Sequence, residues 1–317
     1  MNKRKLGKSG LEFAPLMLGG NVFGWTIDEP ASFQVLDAFV AAGFNALDTA
    51  DVYSVWKPGN KGGESETVIG NWIRKTGQRQ NILIATKVGK DMGAGKKGLK
   101  KDYIVRAAED SLRRLQTDRI DLYQSHEDDA SVPLQETLEA FEQLVKQGKV
   151  RAIGASNYTA PRLSEALEVS KKRGLQRYES LQPLYNLYDR ADYEAELEPV
   201  CRQAGIGVLP YYSLASGFLT GKYRGEADLS KSPRGGGIKQ YLNPRGFRIL
   251  DALDQTAKKY HSTPAKVSLA WLLTRPTITA PIASATTVAQ LQELLDATNL
   301  QLDRDSINLL DQASASA

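Results

Sequence analysis

The feature that most constrains the fold of this chain is an alternation. Short β-type runs at residues 16–20, 45–48, 82–88, 120–124, 150–155, 179–184, 207–211 and 277–282 are interleaved with longer helical stretches. The helical stretches lie near 31–42, 64–76, 101–115, 134–147, 160–173, 192–204 and 264–274, with a last helix at 287–297. Repeated βα units predict a parallel sheet with helices packed outside it. Eight of them predict closure into an α/β fold of the (β/α)8 TIM barrel type. Ahead of the first run, residues 4–13 read as a small hairpin turning at 8–10, placed to plug the bottom of the barrel.

Local punctuation supports this reading. Leu134, Leu138, Phe141, Leu144 and Val145 repeat at helical spacing and end at Gly148, a glycine suited to the position just past a helix. Thr263-Pro264 reads as an N-cap followed by proline in the first turn. One segment breaks the rhythm: residues 212–262 separate the seventh and eighth runs, and include a glycine triplet at 235–237 and a helix near 246–260. A loop this long after strand 7 is usually functional. No linker composition appears elsewhere, so residues 1–317 are expected to form one domain.

Composition narrows the class. Basic residues exceed acidic ones by only 41 to 37, and the Lys pairs at 96–97, 100–101, 171–172 and 258–259 are scattered, as solvated surface rather than a nucleic-acid face. The lone Cys201 excludes an internal disulfide and suits a reducing, cytoplasmic setting. No signal peptide or membrane-spanning run is read, and two histidines with one cysteine argue against a metal site.

One motif is a decoy. Gly93-Ala-Gly-Lys-Lys-Gly98 matches a dinucleotide-binding glycine pattern. It opens the third βα unit rather than the first, and the barrel pattern outweighs a lone hexapeptide. The informative residues close consecutive runs instead: Asp48 the second, Lys87 the third and His126 the fourth, with Tyr53 just beyond the second. Strand C-termini ring one face of such a barrel, where active sites are built. Each residue alone has an ordinary structural role. Together they make a chemistry: the Lys87 ammonium lowers the Tyr53 pKa, Asp48 holds Lys87, and His126 orients a carbonyl oxygen. Trp25, Val55 and Trp56 follow strand ends one and two and are placed to line the mouth, with Tyr53 and His126 also touching substrate. The loop 57–63 is placed to shape the entrance.

Motifs in order along nearly the whole chain carry a resemblance. They are Leu47-Asp-Thr-Ala-Asp-Val-Tyr53, Gly63-Glu-Ser-Glu66, Ala85-Thr-Lys87, Asp121-Leu-Tyr-Gln-Ser-His126, Gly148-Lys-Val-Arg-Ala-Ile-Gly-Ala-Ser-Asn157, Gln182-Pro-Leu-Tyr-Asn186 and Gly217-Phe-Leu-Thr-Gly-Lys222. The chain resembles the aldo-keto reductase superfamily, in the bacterial general and potassium-channel β-subunit-like branch. The resemblance implies a barrel binding NADPH, with NADH possible, at the strand ends. It implies Asp48, Tyr53, Lys87 and His126 as the catalytic tetrad. Ser156, Asn157 and Gln182 would hold the nicotinamide carboxamide and Tyr211 would stack under the ring. Leu214 to Gly217, with Ser216 among them, and Lys222 would close over the pyrophosphate. Ser284, Thr286, Gln290 and Glu293 would bind the adenosine end. Gly20, Asn21, Asp48 and Ser213 complete the implied cofactor set. Two departures from the family pattern stand out: Tyr211-Tyr-Ser-Leu replaces Tyr-Ser-Pro-Leu, and residues 283–288 lack the basic residue that often pairs with the 2′-phosphate, leaving Arg234 or Arg245 as other donors.

The expected activity is NADPH-dependent reduction of an aldehyde or ketone to the alcohol. The alternative is an NADPH-binding regulatory or sensor subunit with slow turnover. A metal-dependent barrel hydrolase lacks its ligands. The expected partner is a small-molecule carbonyl, without nucleic acid or membrane. The sequence is silent on substrate and oligomeric state.

Overall fold

The computed structural model describes residues 2–93, 95–231 and 235–315. It opens on the expected hairpin, β1 (Arg4–Lys5) paired antiparallel with β2 (Glu12–Phe13). Eight parallel strands follow: β3 (Met17–Gly19), β4 (Ala46–Asp48), β5 (Leu83–Val88), β6 (Ile120–Ser125), β7 (Val150–Ser156), β8 (Tyr178–Gln182), β9 (Gly207–Val208) and β10 (Ile282–Ala283). Their order in the sheet is β10-β3-β4-β5-β6-β7-β8-β9. The two edges meet. Val208 N–H donates to the Thr277 carbonyl, Thr279 N–H to that of Val208, and Ile282 N–H to that of Pro210. Residues 277–283 therefore bridge β9 and β3 and close the barrel, although the regular ladder with β3 begins only at Ile282.

The helices α1 (Glu29–Ala41), α2 (Glu64–Thr76), α3 (Lys101–Leu115), α4 (Leu134–Lys146), α5 (Ala160–Arg173), α6 (Glu198–Ala204), α7 (Pro244–Lys259), α8 (Pro264–Leu273) and α9 (Val288–Asp296) form the outer layer. In α4 the residues Leu134, Leu138, Phe141 and Leu144 are buried, as their spacing requires. Gly148 follows with φ +72°, and the Lys149 N–H reaches the Leu144 carbonyl. The Thr263 hydroxyl accepts from Lys266 N–H and caps α8.

Two expectations are corrected. The segment 287–297 is not the last helix: α10 (Arg304–Ser314) follows, capped by Asp303. Its buried face is Ser306, Leu310 and Ser314, too polar to announce itself by apolar periodicity. The stretch 192–204 is not one regular helix either. Residues 193–197 form a wider π turn, where Glu198 N–H bonds back to the Tyr193 carbonyl, before α6 begins. Pro199 has no N–H to give the residue four back, and its ring crowds that carbonyl.

Strand alternation sets what faces inward. Ala46, Ala85, Leu122 and Ala152 share the lumen with Met17, Leu209, Ala280 and Ile282. Leu6, Leu11 and Phe13 of the hairpin belong to the same cluster and plug the bottom. Lys8 N–H donates to Glu179 Oε2 at 2.7 Å, which fixes the hairpin to the start of β8. Leu47, Ile84, Tyr123 and Ile153 face outward into the larger core beneath the helices. With period two, Asp48 follows Ala46 and Lys87 follows Ala85 on the lumen side, at the C-terminal end.

Candidate active site

Asp48, Tyr53 and Lys87 converge at that end. Lys87 is fully buried and its ammonium lies 2.8 and 2.9 Å from the two Asp48 carboxylate oxygens. It also donates to the Thr49 carbonyl at 2.8 Å and to the Tyr53 hydroxyl oxygen at 2.8 Å. All three of its donors are thereby used. Tyr53 donates in turn to Asp48 Oδ2 at 2.9 Å, and Gln182 Nε2 donates to Asp48 Oδ1 at 2.9 Å. The next residue, Ser54, takes φ +74°, and its hydroxyl donates to the Phe23 carbonyl at 2.7 Å, anchoring the turn that carries Tyr53. The His126 ring stands 6.0 Å from that of Tyr53, and its backbone N–H bonds to the Val88 carbonyl.

The electrostatics correct one expectation. Tyr53 is not lowered: burial, with Asp48 beside it, holds its pKa well above the usual phenol range. The negative carboxylate and the loss of water outweigh the ammonium in the resting site, so Tyr53 is a neutral phenol at physiological pH. Burial lowers Lys87, opposed by Asp48. Burial, and then the Lys87 and Lys90 ammonium groups, hold His126 well below the usual imidazole range, so it is neutral. Its Nδ1 is buried without a hydrogen-bond partner. A bare buried acceptor is tolerated more readily than a bare donor, so the proton belongs on Nε2.

The remaining candidates divide by location. Ser156 Oγ donates to the Gln182 carbonyl at 2.8 Å. Asn157 Nδ2 donates to the His126 carbonyl at 2.8 Å, and the Tyr211 hydroxyl donates to Asn157 Oδ1 at 2.8 Å. Ser156, Asn157, Gln182 and Tyr211 are thus joined by hydrogen bonds to Asp48 and His126. After β9, the Ser213 hydroxyl donates to the Pro210 carbonyl, and Leu214 leads into a turn where Ala215, Ser216 and Gly217 have φ +47°, +57° and +101°. The Ala215 and Gly217 N–H groups bond back to the Tyr212 and Leu214 carbonyls, so the turn is closed on itself. A Cβ built at Gly217 would lie 3.7 Å from Lys222 Nζ, so the ammonium flanks this turn. The Lys222 ammonium beside this turn is the charge that suits a diphosphate.

Beside β10, the Ser284 hydroxyl donates to Asn21 Oδ1 at 2.5 Å. A Cβ at Gly20 would come within 2.9 Å of Ser65 Oγ and 3.1 Å of the Asp48 carbonyl oxygen, so this position has room only for glycine. Thr286 donates to Gln290 Oε1 through both N–H and hydroxyl. Glu293 accepts from Thr263 Oγ1 at 2.6 Å and so ties α9 to the start of α8. Arg245 is spent on the carbonyls of Tyr188 and Ser314, while Arg234 lies outside the described residues. At the mouth, Trp25 and Trp56 meet edge to face at 5.4 Å, and Trp56 lies 6.0 Å from Tyr53. The Thr49 carbonyl and the Gln182–Asp48 bond were not legible from sequence: a main-chain acceptor has no residue signature, and the second depends on β8 facing β4 across the lumen.

A model of the aldo/keto reductase family matches residues 15–315. The chain belongs to the aldo-keto reductase family. "Uncharacterized oxidoreductase YrpG" of Bacillus subtilis is 35% identical over 96% of this chain and 93% of that relative. "Protein tas" of Escherichia coli is 31% identical over 96% and 95%. The "Probable voltage-gated potassium channel subunit beta" of Arabidopsis thaliana is 32% identical over 95% and 92%. Aldo-keto reductases reduce small-molecule carbonyls with a nicotinamide cofactor, and this chain is such an NAD(P)H-dependent oxidoreductase. Among its described residues no cluster of three metal-ligating side chains occurs, and no helix is long and apolar enough to cross a membrane.

Proposed function

We propose that this aldo-keto reductase reduces an aldehyde or ketone to the alcohol, reversibly, with Tyr53 as the proton donor. The observation that carries the reading is the Tyr53 hydroxyl, hydrogen-bonded to both Lys87 and Asp48 beside a neutral His126. A bound NADPH would supply the hydride that the carbonyl carbon takes up. The carbonyl oxygen takes its proton from Tyr53, whose raised pKa keeps that proton in place until negative charge develops. Lys87 then acts on the phenolate: a buried ammonium 2.8 Å away stabilises it as the proton leaves. Asp48 keeps Lys87 charged, and His126 Nε2–H aligns the carbonyl oxygen.

For the cofactor we propose Ser156, Asn157 and Gln182 at the carboxamide and Tyr211 under the ring. Ser213, Leu214, Ser216, Gly217 and Lys222 then serve the diphosphate, and Gly20, Asn21, Ser284, Thr286, Gln290 and Glu293 the adenosine side. NADPH over NADH is supported by family usage. Trp25 and Trp56 are proposed as substrate walls. We further propose that residues 1–317 act as one domain in the cytoplasm, which the single buried Cys201 suits.

The test follows NADPH and NADH oxidation against a panel of aldehydes and ketones, with Tyr53→Phe alongside. Turnover by the native chain, lost in the variant, is expected. Full activity in Tyr53→Phe overturns the assignment. Tight NADPH binding with turnover too slow to measure would favour the regulatory-subunit reading that the plant relative's name suggests.

A further inference from the structure

The loop between the Tyr53 turn and α2 is tied down by one side chain. Lys57-Pro58-Gly59-Asn60 forms a tight turn: Asn60 N–H bonds back to the Lys57 carbonyl at 3.0 Å, and Gly59 takes φ +91°. Proline second and a left-handed glycine third suit such a turn. The half-buried Asn60 amide is thereby returned toward the strand ends. Its Nδ2 donates to the Gly24 carbonyl at 3.1 Å and to the Ser54 carbonyl at 2.9 Å. An amide NH2 has two hydrogens, and both are used.

The two carbonyls flank the residues at the mouth. Gly24 immediately precedes Trp25, and Ser54 lies between Tyr53 and Trp56. At φ +74° Ser54 holds a backbone conformation that the surroundings must impose on a residue with a side chain. Three bonds impose it. The Ser54 hydroxyl donates to the Phe23 carbonyl at 2.7 Å, and the Ser54 carbonyl accepts from Lys57 N–H at 3.1 Å and from Asn60. The Phe23 and Gly24 carbonyls are successive. Ser54 and Asn60 therefore join the segment after β3 to the turn after β4 by neighbouring bonds.

Ring distances show what this clamp holds. Trp25 and Trp56 meet edge to face at 5.4 Å, and Trp56 lies 6.0 Å from the ring of Tyr53, itself 6.0 Å from that of His126. Trp25 belongs to one clamped segment, Tyr53 and Trp56 to the other. The wall beside the proposed proton donor is thus composite, and its shape depends on the bonds that cross between the segments. Trp56 is 45% exposed, so part of that wall is open to a ligand.

We propose that Asn60 is a positioning residue: its amide sets the Trp25–Trp56 wall against Tyr53 and so fixes how a ring-bearing carbonyl is presented to the Tyr53 hydroxyl. It acts through Gly24 and Ser54. This rests on the reductase reading above.

The test uses Asn60→Asp, which keeps the shape and removes both donors, and Asn60→Ala, which removes them without adding a charge. KM and kcat are read from NADPH oxidation with 2-naphthaldehyde and with butanal, which has no ring to place. In both variants KM for 2-naphthaldehyde should rise by roughly tenfold, the scale of losing one or two such bonds. Lys87 and Asp48 still hold Tyr53, so the butanal constants and the NADPH dissociation constant should stay within about twofold. Acrylamide quenching of tryptophan fluorescence should increase without substrate. The other two tryptophans, Trp72 and Trp271, are fully buried, so Trp25 and Trp56 carry that change. A role confined to folding would lower Tm and scale kcat for both aldehydes alike. That result, or an unchanged KM for 2-naphthaldehyde, overturns the inference and leaves the reductase intact. Failure of the native chain to oxidise NADPH with either aldehyde overturns the reductase reading and the inference with it.

Discussion

Asp51 shows most sharply what burial does to a single side chain here. It lies two residues before Tyr53, both of its carboxylate oxygens are buried, and neither has a hydrogen-bond partner. Burial first, and then Glu66, push its pKa up to about 8, while Arg114, the Val52 backbone N–H and Lys87 act the other way. Glu66 is itself committed, to Thr86 at 2.6 Å and to Arg114 at 2.6 Å. A carboxyl raised on folding binds its proton more tightly in the folded state. Its contribution to stability is full below the unfolded value near 4 and is lost as pH rises toward about 8. Asp51→Asn removes that loss. In urea melts the variant should therefore gain on the native chain progressively between about pH 4 and about pH 8, and a pH-independent difference would contradict the assignment. Tyr53→Phe belongs to the same scale. It deletes the proton but keeps the ring, so kcat should fall by about two to four orders of magnitude. NADPH affinity, read by fluorescence titration, should stay within about twofold.

At the scale of elements, the caps and strand ends carry most of the specification. Thr263 both caps α8 and donates to Glu293 on α9, so one hydroxyl joins two helices next to the proposed adenosine side. Thr263→Ala should cost about 1 kcal/mol from the lost cap, and a little more from the freed Glu293. Chemical denaturation measures the first, and the NADPH dissociation constant shows whether α9 has shifted. The elements that escaped the sequence reading share a cause. α10 buries serines rather than a leucine stripe, and the π turn at 193–197 follows from one proline. Hydrophobic periodicity detects neither.

At the scale of the molecule, the barrel is filled from below and open above. The hairpin places Leu6, Leu11 and Phe13 into the same apolar cluster as the strand interiors. Phe13→Ala should cost about 3–5 kcal/mol by leaving a cavity there, seen as a lower Tm. Residual activity per folded molecule should be retained, because the catalytic candidates lie at the opposite ends of the strands. Loss of activity out of proportion to folding would mean that the two ends are coupled.

Residues 47–53, 85–87 and 121–126 announced themselves without coordinates, because period-two alternation and strand ends are local properties. Local sequence therefore determined the eight βα units, the hairpin and the long excursion, and it singled out the four residues proposed to react. Tertiary structure alone decided two things. It decided the sign of the Tyr53 shift, since burial and the Asp48 carboxylate sum over space rather than along the chain. It decided that Gln182 reaches Asp48 from across the lumen.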